Sequence, residues 1–392
     1  MAHELKGIAL CAVGMESICS KELVKLGLRV LDRKPGRLGF ALDKADPASS
    51  LAKANIGLRC AQRVLLELGH FPARDFDQFF DGMKSLPWEL CCFKDSALVI
   101  DRVRSHDSAL AAQTSIQAMG QKAAYTRLME HYRMRTMPAT ANKVAARVYL
   151  DSDVCTVGVD SSGEPLSKRG YRKRSVEAPL NEAVAAGLLF LSGWNRRYAL
   201  LDPFCGSGTI AIEAALFALD FAPGLQRRFA LEAMPFASAR TIGAVRESFE
   251  ARIRQDVDVE IVASDIDPGA LEAARQNAYD AGVSDWIEFR LAKAQESLPG
   301  AKRGFLLANP PYGKRLGTEE EAAELYSSLS SMRARFEEAG WGMGFVAERE
   351  DFGEIFGRAP ATSTRILSGS EELWFHWYPQ PKDEPLGGLR SS

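Results

Sequence analysis

The chain has 392 residues, of which 46% are hydrophobic and 26% are charged, and its formal net charge at pH 7 is -2. This length predicts two or three domains, and the near-neutral charge means that any contact with nucleic acid depends on local basic patches. No apolar run is long enough to span a bilayer and the N-terminus lacks the pattern of a signal peptide, so neither a membrane protein nor a secreted protein is expected.

Residues 1–70 alternate between strand-like and helical patterns. Strand-like runs lie at Gly7–Val13, in two pieces within Leu28–Leu42 and at Cys60–Leu68, and helical spacing lies at Glu16–Leu26 and Leu51–Ile56. The order strand–helix–strand–strand–helix–strand predicts a small ferredoxin-like α+β domain. Other small α+β domains share this pattern, so the pattern alone does not distinguish them.

Residues 71–165 predict a second small α/β unit. Helices are expected at Asp75–Leu86 and Ser108–Arg127, a strand at Leu98–Val103, and a β-hairpin at Val144–Leu150 and Asp153–Asp160. The hairpin is predicted because both of its segments alternate between apolar and polar residues.

A basic segment follows, before the next predicted domain. Its sequence is Lys168-Arg169-Gly170-Tyr171-Arg172-Lys173-Arg174. Lys and Arg contact phosphates, and Arg and Tyr also stack on unpaired bases, so we predict that Lys168, Arg169, Tyr171, Arg172 and Lys173 contact RNA. The alternative is a solvated interdomain linker, which is the usual role of a charged run.

A glycine-rich turn lies between a strand at Leu200-Leu201 and a helix at Ile210–Leu219. The turn reads Asp202-Pro203-Phe204-Cys205-Gly206-Ser207-Gly208-Thr209. This layout is typical of a nucleotide-binding crossover, but the Lys of a P-loop and the three-glycine dinucleotide motif are both absent. The acid at Asp202 suits a ligand that carries an ammonium group. The turn therefore favours a nucleoside that bears an amino acid.

The next predicted strand, Val259–Ala263, ends at Ser264-Asp265-Ile266-Asp267. An acid at the tip of this second strand can accept hydrogen bonds from both hydroxyls of a ribose. We assign that role to Asp265, because Asp267 is better placed to cap the helix that begins near Pro268.

Further strands are expected at Trp286–Leu291, Gly304–Ala308, Met343–Ala347 and Leu373–Tyr378. The second of these must end at Asn309-Pro310-Pro311-Tyr312, because neither proline has an N–H to donate to a sheet. The Asn309 amide oxygen and the Pro310 carbonyl can accept hydrogen bonds from the exocyclic amine of a base, and Tyr312 can stack on that base. A proline-rich turn with a core tyrosine is the alternative.

Cysteine and histidine usage concerns redox compartment and metal binding. Seven cysteines without repeated spacing indicate a reducing compartment, for which we predict the cytoplasm. The five histidines are scattered, so no protein-bound metal is expected.

Taken together, the three motifs at the strand ends resemble those of class I S-adenosylmethionine-dependent amino-methyltransferases. More narrowly, the chain resembles the bacterial THUMP-domain RNA methyltransferases, which include enzymes that methylate N2 of guanine in large-subunit ribosomal RNA. The segments that carry this narrower resemblance are Leu86-Pro87-Trp88-Glu89, Arg169-Gly170-Tyr171-Arg172, Ala178-Pro179-Leu180-Asn181-Glu182, Ala222-Pro223-Gly224 and Pro311-Tyr312-Gly313-Lys314-Arg315-Leu316-Gly317.

The resemblance implies an α/β fold class, with a Rossmann-like class I methyltransferase sheet preceded by ferredoxin-like and THUMP α+β domains. The implied domains are a ferredoxin-like domain over residues 1–70, an RNA-binding THUMP domain over 71–165, a methyltransferase domain over 166–380 and a polar tail over 381–392. S-adenosyl-L-methionine is the implied cofactor, and RNA is the implied partner.

The resemblance also implies roles for individual residues. The cofactor-binding set is Asp202, Pro203, Phe204, Cys205, Gly206, Ser207, Gly208, Thr209, Asp265, Ile266, Ala294 and Asn309, and the catalytic set is Asn309, Pro310, Pro311 and Tyr312. Two positions depart from the family pattern. Asn181 replaces a basic residue, and Lys293 stands near an acid that contacts the adenine amine, so either a backbone group makes that contact or cofactor affinity is reduced.

We therefore expect an enzyme that methylates the exocyclic N2 of a guanine in 23S ribosomal RNA. A tRNA guanine-N2 methyltransferase, an adenine-N6 DNA methyltransferase and a non-catalytic RNA-binding factor are the alternatives. The DNA enzyme is disfavoured because little chain follows the last predicted strand to form a base-reading domain. Stoichiometric binding of the cofactor would separate the enzymes from the non-catalytic factor.

Overall fold

The computed structural model describes residues 5–137, 142–173, 179–300, 303–311 and 319–380. The chain forms two compact units, and each is built from separate stretches. The first unit comprises residues 1–11, 19–166 and 223–251, and the second comprises residues 12–18, 167–222 and 252–392.

The first unit contains β1 (Lys6–Cys11), β2 (Val30–Lys34), β3 (Arg37–Ala41), β4 (Ala61–Pro72), β5 (Ser96–His106), β6 (Asn142–Asp151) and β7 (Val154–Asp160). Its helices are α2 (Pro47–Gly57), α3 (Phe76–Ser85), α4 (Gln113–Tyr132), α7 (Ala239–Glu250) and most of α1 (Glu16–Lys25).

The second unit contains β8 (Ala199–Asp202), β9 (Ile261–Asp265), β10 (Glu288–Leu291), β11 (Gly304–Ala308), β12 (Gly342–Ala347), β13 (Thr362–Ser368) and β14 (Glu371–Tyr378). Its helices are α5 (Glu182–Ser192), α6 (Thr209–Ala218), α8 (Pro268–Asp280), α9 (Glu319–Glu338) and α10 (Phe352–Ile355).

The sheet of the first unit has the strand order β2-β3-β1-β4-β7-β6-β5. The first four strands are antiparallel neighbours in the order of a ferredoxin-like unit, and β6 and β7 form the predicted hairpin. The predicted boundary between residues 70 and 71 is wrong, because it falls inside β4. This strand pairs with β1 on one side and with β7 on the other, so both predicted N-terminal domains share one sheet.

Helix α7 lies in a different unit from the domain to which the sequence assigned it. The sequence analysis assigned residues 166–380 to one domain, but residues 223–251 belong to the first unit. Ser238 caps the helix by accepting a hydrogen bond from the Thr241 N–H, and Ile242, Val245 and Phe249 are buried. These apolar residues recur at helical spacing, and the helix packs on α2 of the same unit.

The sheet of the second unit has the strand order β10-β9-β8-β11-β12-β14-β13. The pairs from β10 to β12 are parallel, whereas β14 pairs antiparallel with both β12 and β13. Strand β13, which the sequence analysis missed, lies at the edge. The strand order reverses direction between β8 and β11, and open α/β sheets bind ligands outside the carboxyl ends of the strands at such a point.

Side chains alternate between the two faces of this parallel sheet, and both faces are covered. Leu200 and Phe305 point into one apolar cluster, together with residues of α5, α6 and α8. Leu201 and Leu306, the next residues along each strand, point into a second cluster with residues of α9 and α10. Burial on both faces explains why these strands are continuous apolar runs in the sequence.

Within the described residues, no helix is long and apolar enough to cross a membrane. In the same ranges no group of three or more His, Cys, Asp or Glu side chains is arranged to hold a metal ion.

Candidate active site

Three of the predicted motifs meet at the carboxyl edge of the parallel sheet in the second unit. Asp202 ends β8, Asp265 ends β9 and Asn309 follows β11, and β8 is the hydrogen-bonded neighbour of both other strands. A cleft opens here. Its walls are Pro179, Leu180, Asp202, Phe204, Cys205, Gly206, Ser207, Thr209, Ile210 and Asn309.

The glycine-rich turn between β8 and α6 is held in a conformation that favours glycine. Gly206 has a φ of 51° and Gly208 a φ of 85°. A Cβ at Gly208 would lie 3.0 Å from the Cβ of Ala274, so the turn also approaches α8 closely. The Asn277 amide donates to the Ser207 carbonyl at 3.1 Å. The turn therefore presents its backbone and the start of α6 in a fixed position.

Asp202 is a buried acid at the wall of this cleft, with only 1% of its surface exposed. Its carboxylate accepts one hydrogen bond, from the Phe204 N–H at 3.3 Å. Burial is the main cause that raises the pKa of Asp202 to about 8, and the nearby Asp265 carboxylate contributes to the same shift. The acid is therefore mostly protonated at neutral pH, and a cation placed beside it would favour the ionised form.

Asp265 is fixed by the turns on either side of it. Its Oδ2 accepts from the Gly206 N–H at 2.8 Å, and its Oδ1 accepts from the Asp267 N–H at 3.0 Å. Each oxygen keeps a second lone pair, so the carboxylate can still accept bonds from two hydroxyls. Ile266 is 65% exposed and offers an apolar surface to a flat ring. Asp267 caps α8 as predicted.

Asn309 carries an unused acceptor. Its Oδ1 is buried, and no donor in the described ranges reaches it. A buried amide oxygen without a partner costs free energy, so its retention at the cleft wall suggests that a ligand supplies the donor. Pro310 is buried beside it and Pro311 is partly buried. Tyr312 lies outside the residues that the structure describes.

These groups fit an amino-acid-bearing nucleoside. Ser207 is also buried at the cleft wall, and its Oγ has no partner among the described residues. The cleft thus offers an acid for an ammonium group, an unused hydroxyl and a helix N-terminus for a carboxylate, and a second acid that can accept from a ribose. The predicted cofactor has the three matching groups, which are an ammonium group, a carboxylate and a ribose.

Ala294 occupies a short 3-10 turn, Ala294–Glu296, after β10. Its side chain is buried in the apolar cluster that covers one face of the sheet. A cofactor contact at Ala294 would therefore use its backbone and not its methyl group. Lys293, its neighbour, is exposed.

The predicted RNA contacts of the basic segment need correction. Arg169 and Tyr171 are buried in the second unit, where Arg169 Nε lies 3.4 Å from a Glu213 carboxylate oxygen and the Tyr171 hydroxyl donates to the same oxygen at 3.1 Å. The prediction that these two residues contact RNA is wrong, because they have no surface to offer. Lys168 is exposed, and the Lys173 side chain is 68% exposed, with an ion pair to Asp280 at 3.1 Å.

Arg172 is largely buried and faces the cleft wall. It donates to the Leu180 carbonyl at 2.7 Å and to the Thr209 hydroxyl at 2.9 Å. Arg172 is thus held by contacts within the second unit, and only 15% of its side chain is left exposed for the predicted RNA contact. Only Lys168 and Lys173 retain exposed side chains for that role.

Asn181, the first departure from the family pattern, has a structural role. Its side chain caps α5 by accepting from the N–H groups of Ala183 and Val184 at 2.9 and 3.3 Å. Asparagine is among the best residues for this position, whereas a basic side chain has no acceptor to cap with.

The sequence analysis did not assign Pro179, Leu180 and Ile210 to the site, although all three line the cleft. The first two belong to a segment that it used only to support the resemblance. The sequence position of Ile210 could have predicted its place in the cleft, because it directly follows the glycine-rich turn at the start of α6.

Comparisons with known proteins agree with this geometry. The model of the RMKL-like methyltransferase domain matches residues 169–370, and that of the RlmL ferredoxin-like domain matches residues 6–65. YpsC of Bacillus subtilis (strain 168), whose name assigns it provisionally to the RNA methyltransferases, is 30% identical over 95% of both chains.

Two further similarities are informative. The large-subunit ribosomal RNA methyltransferase K/L of Psychromonas ingrahamii is 31% identical over 92% of this chain and 48% of its own, so the chain spans about half the length of such relatives. SMU.472, a methyltransferase candidate solved with S-adenosylhomocysteine, is 30% identical, with a TM-score of 0.88 over 97% of this chain and 99% of its own.

The two family models together cover the ferredoxin-like strands, the glycine-rich turn and the Asn309 motif, and YpsC and SMU.472 each match nearly the whole chain. They confirm the predicted α/β methyltransferase fold and the prediction of a methyltransferase enzyme. The chain belongs to the family of RMKL-like methyltransferases.

Proposed function

We propose that this protein transfers the methyl group of S-adenosylmethionine to the exocyclic N2 of a guanine in 23S ribosomal RNA. The observation that carries the proposal is the unused, buried Oδ1 of Asn309 at the switch point of the sheet. An amide oxygen in this place can accept a hydrogen bond from an exocyclic amine and hold it beside the cofactor cleft.

Support for RNA as the substrate comes from the relatives and from the sequence. YpsC and the K/L enzyme both carry RNA methyltransferase in their names, and the K/L name specifies large-subunit ribosomal RNA. The predicted THUMP domain comprises residues 71–165, and we propose that it also binds RNA. Ribosomal RNA is cytoplasmic in bacteria, so we propose a cytoplasmic location for the reaction.

The chain's own residues have a positioning role in this reaction. S-adenosylmethionine supplies a methyl group that is already activated as a sulfonium, so the protein mainly has to align donor and acceptor. Asp202 and the glycine-rich turn bind the amino-acid end of the cofactor, and Asp265 binds its ribose. Asn309 and the Pro310 carbonyl accept hydrogen bonds from the amine, which stabilises the positive charge that develops on its nitrogen.

No general base is required near the amine while the methyl group is transferred. The amine proton leaves after the nitrogen has become cationic, when it is strongly acidic, and water can accept it. The target base must leave its stack to reach the cleft, at a cost of a few kcal/mol. Contacts with the RNA backbone offset that cost.

The test is transfer of labelled methyl groups from S-adenosylmethionine to total RNA from a host strain that lacks this gene. The RNA is separated into ribosomal and transfer fractions, digested and analysed by mass. We expect N2-methylguanosine in the large ribosomal RNA. The matched control is the Asn309→Ala protein with the same RNA, which should transfer nothing.

Other products would revise the proposal in defined ways. N2-methylguanosine in tRNA alone would keep the chemistry and replace the substrate. N6-methyladenine in added DNA, with unlabelled RNA, would support the DNA alternative. Cofactor binding without transfer to either would contradict the assignment of nucleic acid as the substrate.

A further inference from the structure

Arg172 connects two segments that form the wall of the cofactor cleft. One Nη2 atom donates to the Leu180 carbonyl at 2.7 Å and to the Thr209 hydroxyl at 2.9 Å. Leu180 and Thr209 both line the cleft. Thr209 is also the first residue of α6, directly after Gly208 of the glycine-rich turn.

Arg172 is itself held by a buried ionic network. Its Nε lies 3.3 Å from a Glu182 carboxylate oxygen. Next to this pair, Arg169 and Tyr171 share one carboxylate oxygen of Glu213, whose side chain is fully buried. The two arginines and the two glutamates of the network have no net charge together. The network therefore fixes the orientation of its side chains and adds no net charge to the cleft wall. Buried ion pairs contribute little stability on average, which raises the question of what this network positions.

The direction of the bond to Thr209 is informative. Arginine can only donate, so the Thr209 hydroxyl must accept from it. The hydrogen of that hydroxyl must then point away from Arg172. Ser207 presents a second hydroxyl on the same wall, and its buried Oγ has no partner in the described ranges. Two hydroxyl donors at a helix N-terminus suit a carboxylate.

We propose that Arg172 is a positioning residue that orients the Thr209 hydroxyl toward the carboxylate of the cofactor's amino-acid end. Asp202 then serves the ammonium group, and the two ends of the zwitterion are recognised by opposite chemistry. This inference rests on the proposed function in one respect, which is that the ligand of the cleft is S-adenosylmethionine. The buried residues of the basic segment, Arg169, Tyr171 and Arg172, then serve cofactor recognition.

The test compares two ligands by calorimetry. S-adenosylhomocysteine carries the carboxylate, and its decarboxylated analogue keeps the ammonium group and lacks only the carboxylate. We expect Arg172→Gln to weaken binding of S-adenosylhomocysteine by roughly tenfold or more, as the loss of a charge-assisted contact does. Binding of the decarboxylated analogue should change by less than about twofold, which is within the spread of a distant substitution.

Other variants separate orientation from simple stability. Thr209→Val removes the hydroxyl without touching Arg172 and should show the same ligand selectivity. In the double variant, the second substitution should add little, because both remove one interaction. Arg172→Lys keeps the charge and one donor nitrogen but loses the Nε atom that faces Glu182, so its effect should be intermediate. Arg252→Gln, which breaks a surface ion pair with Asp220, is the matched control.

Two results would overturn the inference. If Arg172→Gln and Thr209→Val weaken both ligands equally, the arginine supports the fold and has no role at the carboxylate. If neither variant changes affinity for S-adenosylhomocysteine, the contact is irrelevant to binding. Failure of the unaltered protein to bind either ligand would instead remove the proposed function, and the inference with it. Thr209→Val keeps the test decisive should Arg172→Gln fail to fold.

Discussion

At the scale of single residues, Asn309 and Asp202 are the main candidates for ligand contacts. Each places a buried polar group at the cleft wall with hydrogen-bonding capacity that the described residues do not fill. Among the described residues, no donor reaches the Oδ1 atom of Asn309, and the Asp202 carboxylate accepts one backbone hydrogen bond. Both states cost free energy, and a ligand of matching chemistry removes the cost. Polar groups of this kind are candidates for function more than for stability.

Replacing Asn309 should separate catalysis from cofactor binding. We expect Asn309→Ala to lower the rate of methyl transfer by roughly 100-fold or more, as does the loss of a group that stabilises developing charge. S-adenosylhomocysteine should still bind, because Asp202, Asp265 and the glycine-rich turn are unchanged. The measurement pairs single-turnover kinetics with calorimetry. Equal losses in rate and in affinity would contradict the role assigned to Asn309.

Asp202 should make cofactor binding depend on pH. Burial raises its pKa to about 8, and the ammonium group of a bound ligand lowers it, so binding releases a proton at neutral pH. The affinity for S-adenosylhomocysteine should therefore rise as pH increases from about 6 to about 8, by up to roughly tenfold per pH unit. Calorimetry in buffers of different ionisation enthalpy measures the released proton.

The Asp202→Asn protein is the matched control for this titration. It keeps the shape of the side chain but cannot ionise, so its weaker affinity should be flat across the same pH range. A flat profile for the unaltered protein would mean that Asp202 does not contact the ammonium group.

At the scale of elements, the start of α5 depends on one side chain. Asn181 accepts from two backbone N–H groups that have no partner within the helix. Asn181→Ala should lower the free energy of unfolding by about 1 kcal/mol, because it removes this cap. Asn181→Asp, which retains an acceptor, should lose much less. Denaturant unfolding of the three proteins measures the difference, and equal losses for Ala and Asp would refute the capping role.

At the scale of the whole molecule, the chain passes between its two units more than once. Residues 223–251 lie between two stretches of the second unit in sequence but fold with the first unit. There the ring of Phe249 packs against the end of α2, where a Cβ at Gly57 would lie 2.8 Å from it. The two units are therefore not separable by a single cut near residue 166. This explains why a boundary drawn from the order of motifs along the chain was incomplete.

A chain that keeps residues 12–18 and 167–392, joined by a flexible linker, tests this organisation. Helix α7 would lose α2, and its buried Ile242, Val245 and Phe249 would be exposed. Each such side chain loses roughly 1.5–3 kcal/mol of burial, so we expect self-association and binding of a hydrophobic dye. The same truncated chain with these three residues changed to Ser should be monomeric in sedimentation. A monomeric truncated chain without those changes would contradict the assignment of α7.

The sequence by itself determined the local features of this protein. Apolar runs and alternation predicted most strands, paired prolines ended β11 before Asn309, and the glycine-rich turn identified the cleft, because these features depend on residues close in the chain. The tertiary structure decided the rest. Burial of Arg169 and Tyr171, the raised pKa of Asp202 and the placement of α7 all depend on residues distant in sequence, whose packing sets the solvent access that no local pattern records.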